Sequence, residues 1–471
     1  MKPCSNSLLL FLIAILSWTA AVPSAAAESH QRKTSPKASR TFAVSPLPIK
    51  TWQLENGLRI VVSLDHSAPV SAVAVYYDVG ARNEKPGKSG FAHLFEHMMF
   101  EGSENVGKGE HFKHIHEAGG NTNGSTTSDR TNYFEVLPSN RTALGIWLEA
   151  DRMRSLKVTK ENFENQRETV KEERRMRIDN QAYGQAWLRL TELAFRNFAY
   201  SHPVIGSMED LNRAPLSDVQ EFFATYYVPG NAVLVVVGDV NPNQVHEWAK
   251  LYFGRIPGKP IPAPVTVAEP PQTEEKRETI VDRNAKIPAA LIAYHIPERR
   301  HPDYYPLTIL EQILADGKSC RLYRRLVREA EVATTIGGGV WPFRGPSLFT
   351  FFTRISGKET AHKAVTLIQE ELNQIKQTPP TQMEMIKAKN KLRAQFLFAR
   401  EKVLDRALEI AEYALYDKDP GLINTELHRF LSVTPEQVSE VTRKYFETGN
   451  RTVIEVHVQA PTESRREENP R

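Results

Sequence analysis

Apolar and polar positions change their period several times along these 471 residues. Leu58 to Val62 is a short apolar run behind the turn residues Glu55, Asn56 and Gly57, and Val70 to Tyr77 alternates apolar with small residues. Both predict strands. Asn121 to Val136, rich in Thr and Asn with Tyr133 and Phe134, also reads as strands, and Ala232 to Val237 reads as a strand buried on both faces. Helical character runs through Ala143 to Met153, Lys160 to Phe198 and Leu216 to Tyr227. Arg82 to Gly90 is a polar loop with Gly and Pro, and it feeds the short segment His93-Leu94-Phe95-Glu96-His97.

The pattern stops at a Pro-rich stretch with Pro257, Pro260, Pro262, Pro264, Pro270 and Pro271, which predicts a linker over 257–276. Strand and helix patterns resume from Ile280. The second half closes as the first did. Val219, Glu221, Tyr226, Gly230 and Asn231, ahead of a β-run, recur as Val438, Glu440, Tyr445, Gly449 and Asn450, ahead of Val453 to Val456. The offset is 219 residues throughout, which predicts two copies of one α+β unit. The predicted boundaries are 49–256 for a metal-binding N-terminal domain and 277–460 for a homologous C-terminal domain, with a charged tail over 461–471.

The N-terminus predicts export. Lys2 precedes an apolar run from Leu8 to Val22, then Pro23 and Ala25-Ala26-Ala27, the form of a secretory signal peptide over 1–27 with cleavage after Ala27. The run is short for a membrane span, so no stable span is expected once it is removed. Residues 28–48, rich in Ser, Lys, Pro and Ala, read as a poorly ordered lead-in. Of the two cysteines, Cys4 leaves with the leader and Cys320 remains, so the mature chain forms no internal disulfide. A large core without disulfides fits a bacterial periplasm. With 41% hydrophobic and 25% charged residues the chain is of soluble globular type, and a net charge of +4 excludes nucleic acid as an expected partner. Basic runs such as Lys171 to Arg177 alternate with acids and read as solvated helix faces.

The chemistry sits at residues 93–97. On a helix His93, Glu96 and His97 share one face, while Leu94, Phe95 and Met98 pack behind. Two imidazoles can hold a zinc ion, and the carboxylate between them can take a proton from a polarised water. A third protein ligand is needed. Glu164, Glu168, Glu172 and Glu173 all lie on the helix from Lys160, and spacing does not choose among them. His111, His114 and His116 cluster nearby and read as polar surface or supporting residues.

The run Gly90 to Ser103, the Gly120 to Asn123 segment leading to Asp129-Arg130-Thr131-Asn132-Tyr133, the Val170 to Arg174 helix and the duplicated halves together resemble the pitrilysin-type zinc peptidases, the family of insulin-degrading enzyme and the mitochondrial processing peptidase. The resemblance implies an α+β fold of two duplicated α/β-roll domains, each an antiparallel sheet faced by helices. It implies one Zn2+ per chain on His93, His97 and Glu173, with Glu96 as general base. It implies a peptide substrate added as a strand along Asn121 to Thr127, which makes Asn121, Asn123, Gly124, Ser125 and Thr126 the substrate-binding residues. Gln166 stands where the family commonly has another glutamate; two turns before Glu173, it is expected to share that face. Active members also need an Arg and a Tyr from a later half. Here Arg328-Glu329-Ala330-Glu331-Val332-Ala333-Thr334 has the arginine but Thr334 in place of the tyrosine, and the chain is about half the length of the single-chain members. The expectation is a heterodimer in which a homologous chain brings the Arg/Tyr pair. The rival reading is a non-catalytic scaffold or peptide-binding subunit of the same family.

Overall fold

The strands fall into two sheets with the same plan. In a computed structural model, which describes residues 45–459 other than Lys358, the first sheet holds β1 (Ile49–Gln53), β2 (Arg59–Leu64), β3 (Val70–Tyr77), β4 (Asn121–Thr126), β5 (Thr131–Pro138) and β6 (Ala232–Gly238) in the order β1-β2-β6-β3-β5-β4. The second holds β7 (Lys276–Asp282), β8 (Ala289–Ile296), β9 (Ala333–Trp341), β10 (Ser347–Ile355) and β11 (Arg451–Val458) in the order β7-β11-β8-β10-β9. Without β1 the two orders correspond strand for strand, so the duplication read from the sequence is a duplication of topology. The expected leader, nearly all of the lead-in and the charged tail lie outside the described residues. Among the described residues no helix is long and apolar enough to cross a membrane.

Each sheet is mainly antiparallel but carries one parallel pair, β2 with β6 and β7 with β11. Each of these pairs is joined by a long connection through the helices of its half, which is what a parallel pairing requires. The recurrent Asn231 and Asn450 do the same work in both copies. Asn231 Nδ2 donates to Tyr226 O (2.9 Å) and Asp78 O (3.3 Å), and Asn450 Nδ2 donates to Tyr445 O (2.7 Å) and His295 O (2.9 Å). Each ties the end of a helix to a central strand.

The longer helices are α1 (Phe91–Met98), α2 (Glu110–Glu117), α3 (Thr142–Ser155), α4 (Lys160–Arg174), α5 (Gly184–Ala194), α6 (Leu216–Tyr226), α7 (Pro242–Phe253), α8 (Tyr304–Leu314), α9 (Ala361–Gln377), α10 (Gln382–Ala399), α11 (Val403–Glu412) and α12 (Pro435–Tyr445). One face of the first sheet packs with α1, α3, α4, α6 and α7 around Val62, Val75, Phe95, Ile146, Leu234 and Phe253. Its other face, Val61, Ala72, Ala74 and Val235, is covered by Ile410 and Leu415 of α11 and the turn after it. The second sheet packs one face on α8, α9, α10 and α12. Its other face, Leu291 and Ile454, is covered by Ala186 and Leu190 of α5. Each sheet therefore takes a covering helix from the opposite half. Burial on both faces is why β6 reads as an unbroken apolar run.

The crossing explains a break that the sequence pattern hides. Lys160 to Phe198 reads as continuous helix, but α4 ends at Arg174, a π-type turn follows over Arg175–Asp179, and Tyr183 takes a left-handed φ of 67°. Tyr183 N then donates to Asp282 of β7 (2.6 Å), and the chain passes to the other sheet as α5.

Candidate active site

The helix that carries the motif is capped from a distance. α1 starts at Gly90, whose φ is 92° and whose backbone lies so near Gly206 that a Cβ would fall 2.9 Å from Gly206 Cα. Only glycine fits both demands, and it has no side chain to cap with. The buried carboxylate of Glu84 substitutes, accepting the N–H groups of Gly90 and Ala92, both at 2.8 Å. His202 Nε2 lies 2.8 Å from Glu84 Oε2, the oxygen that also accepts the Gly90 N–H. Burial holds the Glu84 carboxyl above its ordinary range, and the carboxylate holds His202 above its own range against the effect of burial. On the core side, Phe95 stacks on Phe222, and Tyr133 Oη donates to Phe95 O at 3.0 Å.

α4 crosses beside this helix. Thr159 caps it by accepting the Asn162 N–H (3.2 Å), and Phe163 and Val170 bury its inner face. That orientation brings Glu173, in the last turn, to the imidazoles. Glu173 Oε2 lies 3.1 Å from His97 Nε2 and 3.7 Å from His93 Nε2. One ligating atom from each of the three residues lies within 4.8 Å of the others. Of the four acidic candidates, the fold brings Glu173 to this point, while Glu168 pairs with Lys171 and Glu172 with Arg175 on the exposed side. Arg177 Nη1, 2.6 Å from Glu173 Oε1, also borders the group.

The electrostatics suit a metal. Burial, then the neighbouring His97, pushes His93 down to about 4, so its ring is neutral near pH 7 and keeps a lone pair. Its Nδ1 is buried without a hydrogen-bond partner among the described residues. Burial acts to raise Glu173, but the hydrogen bond with His97 and the neighbouring charges outweigh it and hold the carboxyl below its ordinary range. The neutral His93 ring, His97 and the ionised Glu173 carboxylate supply two nitrogen donors and one oxygen donor, a set that catalytic zinc takes. Glu96, one position before His97, is raised by burial against the opposing influence of the Thr126 hydroxyl, His97 and Arg130.

The strand expected to receive substrate lies alongside. β4 is the edge of the first sheet, paired with β5 alone. Gly124 presses on the motif helix: a Cβ there would come 3.2 Å from Glu96 Cγ and 3.0 Å from Tyr133 Cδ1. Asn121 and Asn123 are exposed, and the Asn123 side chain accepts the Gly124 N–H (2.8 Å). Thr126 is half-buried beside Glu96. The Ser125 hydroxyl is already engaged with Asn132 (2.6 Å) and Arg130 (2.6 Å), so what Ser125 offers a peptide is backbone.

Three other positions singled out in the sequence can also be placed. Gln166 lies on the inner face of α4 and donates to Glu101 Oε1 (2.7 Å), a carboxylate that Lys108 also holds. His111, read as surface or supporting, is buried, with Nε2 3.1 Å from Glu135 Oε1; His111, Glu135 and Glu149 form a second cluster of possible ligands, and Arg152 pairs with both carboxylates there. Thr334 is exposed on β9. The Glu84–His202 cap escaped the sequence analysis, since two charged residues 118 apart in the chain carry no spacing signal.

Two family models match this chain, one described as Insulinase (Peptidase family M16) over residues 59–207 and one as Peptidase M16 inactive domain over 214–392. The chain is 32% identical over 408 residues to the zinc protease PqqE of Helicobacter pylori, an alignment that covers 85% of this chain and 91% of the relative. It is 25% identical over 280 residues to a probable mitochondrial-processing peptidase subunit beta of Arabidopsis thaliana, 59% of this chain and 52% of that one. A crystal structure of a protease from Helicobacter pylori matches with a TM-score of 0.84 at 30% identity, over 88% of this chain and 100% of the other. The first half of the periplasmic protease PqqL from Escherichia coli shares the fold, with a TM-score of 0.72 at 17% identity over 88% of this chain and 93% of the other. The paired sheets and the inverted His-x-x-Glu-His helix are those of a zinc-protease class of fold. The chain belongs to the M16 peptidase family, in its short two-domain bacterial form.

Proposed function

We propose that this chain is a zinc-dependent endopeptidase subunit that hydrolyses peptides or unfolded segments. One observation carries the reading: His93, His97 and Glu173 meet beside Glu96, and Glu96 lies against the free sheet edge at Gly124. His93, His97 and Glu173 would hold one zinc ion per chain. Bound there, zinc supplies a Lewis acid that makes a water nucleophilic near neutral pH and polarises a carbonyl. The chain's own residues do the rest. The edge of β4, at Asn121, Asn123, Gly124, Ser125 and Thr126, binds an extended peptide through backbone hydrogen bonds, which demand little of its sequence. Glu96 takes a proton from the attacking water on its carboxylate and returns it to the leaving amine nitrogen.

A homologous partner chain would complete the site. The resemblance asks for an Arg and a Tyr near the developing oxyanion, and Thr334 offers no phenol. A second copy of this chain would bring the same threonine, so a heterodimer is the assembly we infer. The apolar run Leu8 to Val22 with its Ala-x-Ala ending supports export to a bacterial periplasm, the location printed for the fold relative PqqL.

The test is Glu96→Gln. Zinc content near one per chain should persist while kcat falls by about 10²- to 10⁴-fold; turnover retained in a metal-replete variant would overturn the assignment. The match of residues 214–392 to an inactive domain favours the scaffold reading to one extent only, as a statement about the second half. Near-zero zinc in protein purified without chelators would favour that reading for the whole chain.

A further inference from the structure

The hairpin turn that carries β4 into β5 is held both from its own half and from the opposite one. Thr127 and Ser128 accept the backbone N–H groups of Ala81 (3.2 Å) and Arg82 (2.9 Å). Gly80 lies so close that a Cβ there would fall 2.5 Å from Thr127 O. The turn's Asp129 is only 4% exposed. Its Oδ1 accepts the Tyr200 hydroxyl (2.8 Å), and its Oδ2 accepts the backbone N–H of Arg344 (3.0 Å). Arg344 belongs to the β9–β10 turn, the counterpart of the β4–β5 turn in the second half, and it stands 215 residues after Asp129. The two equivalent turns thus dock on each other. Arg82, 3.4 Å from Asp129, and the Arg344 side chain converge on Asp78, while Phe343 stacks on Tyr200 at 4.6 Å.

An edge strand has one neighbour, so its position depends heavily on the turn that ends it. β4 runs from the Glu96 contact at Gly124 to the Asp129 anchor in five residues. A carboxylate buried without its donors would be costly, so the turn has one seat.

We propose that Asp129 and Arg344 are positioning residues for peptide binding, with the second half's turn fixing the free edge of β4 against Glu96 through the Arg344 amide on the Asp129 carboxylate. The second half, which lacks the metal ligands, thereby sets the register of the substrate strand. This rests on the peptidase reading of the site.

The experiment compares Asp129→Ala, Asp129→Asn and Tyr200→Phe with the unmodified full chain, each loaded with zinc. Loss of a hydrogen bond to a charged group predicts a rise in KM of about 10- to 100-fold for an unstructured peptide in Asp129→Ala, with kcat within about threefold and zinc content unchanged. Hydrogen exchange of the β4 amides should quicken at least about tenfold in parallel. Asp129→Asn, which keeps one acceptor, should recover most of both effects, and Tyr200→Phe should fall between. Unchanged KM and unchanged β4 exchange in both Asp129→Ala and Tyr200→Phe would overturn the proposal. So would a loss of zinc and kcat at constant KM. If Asp129→Ala does not fold, Tyr200→Phe decides, since it deletes one hydroxyl. The exchange measurement needs no turnover, so it tests the turn contact even if the chain alone is inactive on peptides for want of its partner; inactivity of the zinc-loaded chain assembled with that partner would strike the peptidase reading instead.

Discussion

Glu96 and Glu311 occupy the same place in the two halves, 215 residues apart. Glu96 lies on α1 against Gly124 of the edge strand β4, and Glu311 lies on α8 against Gly339 of the edge strand β9. The same offset puts Thr308 and Gln312 where His93 and His97 stand. The second copy has kept the carboxylate and lacks the ligands. Glu311 instead accepts the N–H of Val340 on β9 at 3.0 Å.

That contact predicts a pH dependence. Burial pushes the Glu311 carboxyl up from an ordinary 4.5 to about 7. Between those values the folded chain holds a proton that the unfolded chain has released. A group raised in the folded state stabilises fully below its unfolded value, and that contribution is lost as pH rises through the folded value. Glu311→Gln keeps an acceptor for Val340 and removes the titration. Its unfolding free energy, from urea titration, should gain on the wild type as pH rises from 5 to 7, by roughly 1.4 kcal/mol per unit at most. Parallel stability curves for the two proteins would refute the burial argument.

Gly124→Ala should separate catalysis from folding. The added methyl meets Glu96 Cγ at 3.2 Å and Tyr133 Cδ1 at 3.0 Å, so the strand or the base must shift by tenths of an ångström. Zinc binding should survive. Peptide turnover, measured as kcat/KM, should drop about 10- to 100-fold, because small errors in placement at a reacting centre are amplified in rate.

Glu84→Ala strips α1 of its cap. The Gly90 and Ala92 amides lose their acceptor, and His202 loses its counter-charge in a buried setting. Thermal melting of the metal-free protein should register a loss of about 2–4 kcal/mol. Zinc affinity should weaken as well, since His93 lies in the first turn of that helix.

Glu173→Gln should lower zinc affinity, measured by chelator competition, beyond the roughly 10- to 100-fold that loss of a supporting residue costs. Glu172→Gln, one position away but paired with Arg175 on the exposed side, should leave it unchanged.

Residues 93 to 97 were legible in the sequence because a helix fixes which of five neighbours share a face. Glu173 was not legible from spacing: four glutamates compete on α4, and packing of Phe163 and Val170 against α1 makes the choice. Asn121 to Thr126 announced a strand by its composition, but its place at a sheet edge came only with the resemblance, since strand order depends on pairings across the whole chain. The Glu84–His202 contact spans 118 residues and the Asp129–Arg344 contact 215, and neither leaves a periodic trace. Gln166 faces inward as its spacing requires, yet a neighbour that spacing cannot reveal, Glu101, takes its amide.

The exchange of covering helices has a consequence for how this molecule can be divided. With α5 roofing the second sheet and α11 the first, a protease that nicks the Pro-rich segment leaves an associated pair of fragments. A gene truncated there yields a half with one bare apolar sheet face, fit for aggregation more than for independent life. The repeat unit of the sequence is therefore smaller than the unit that folds.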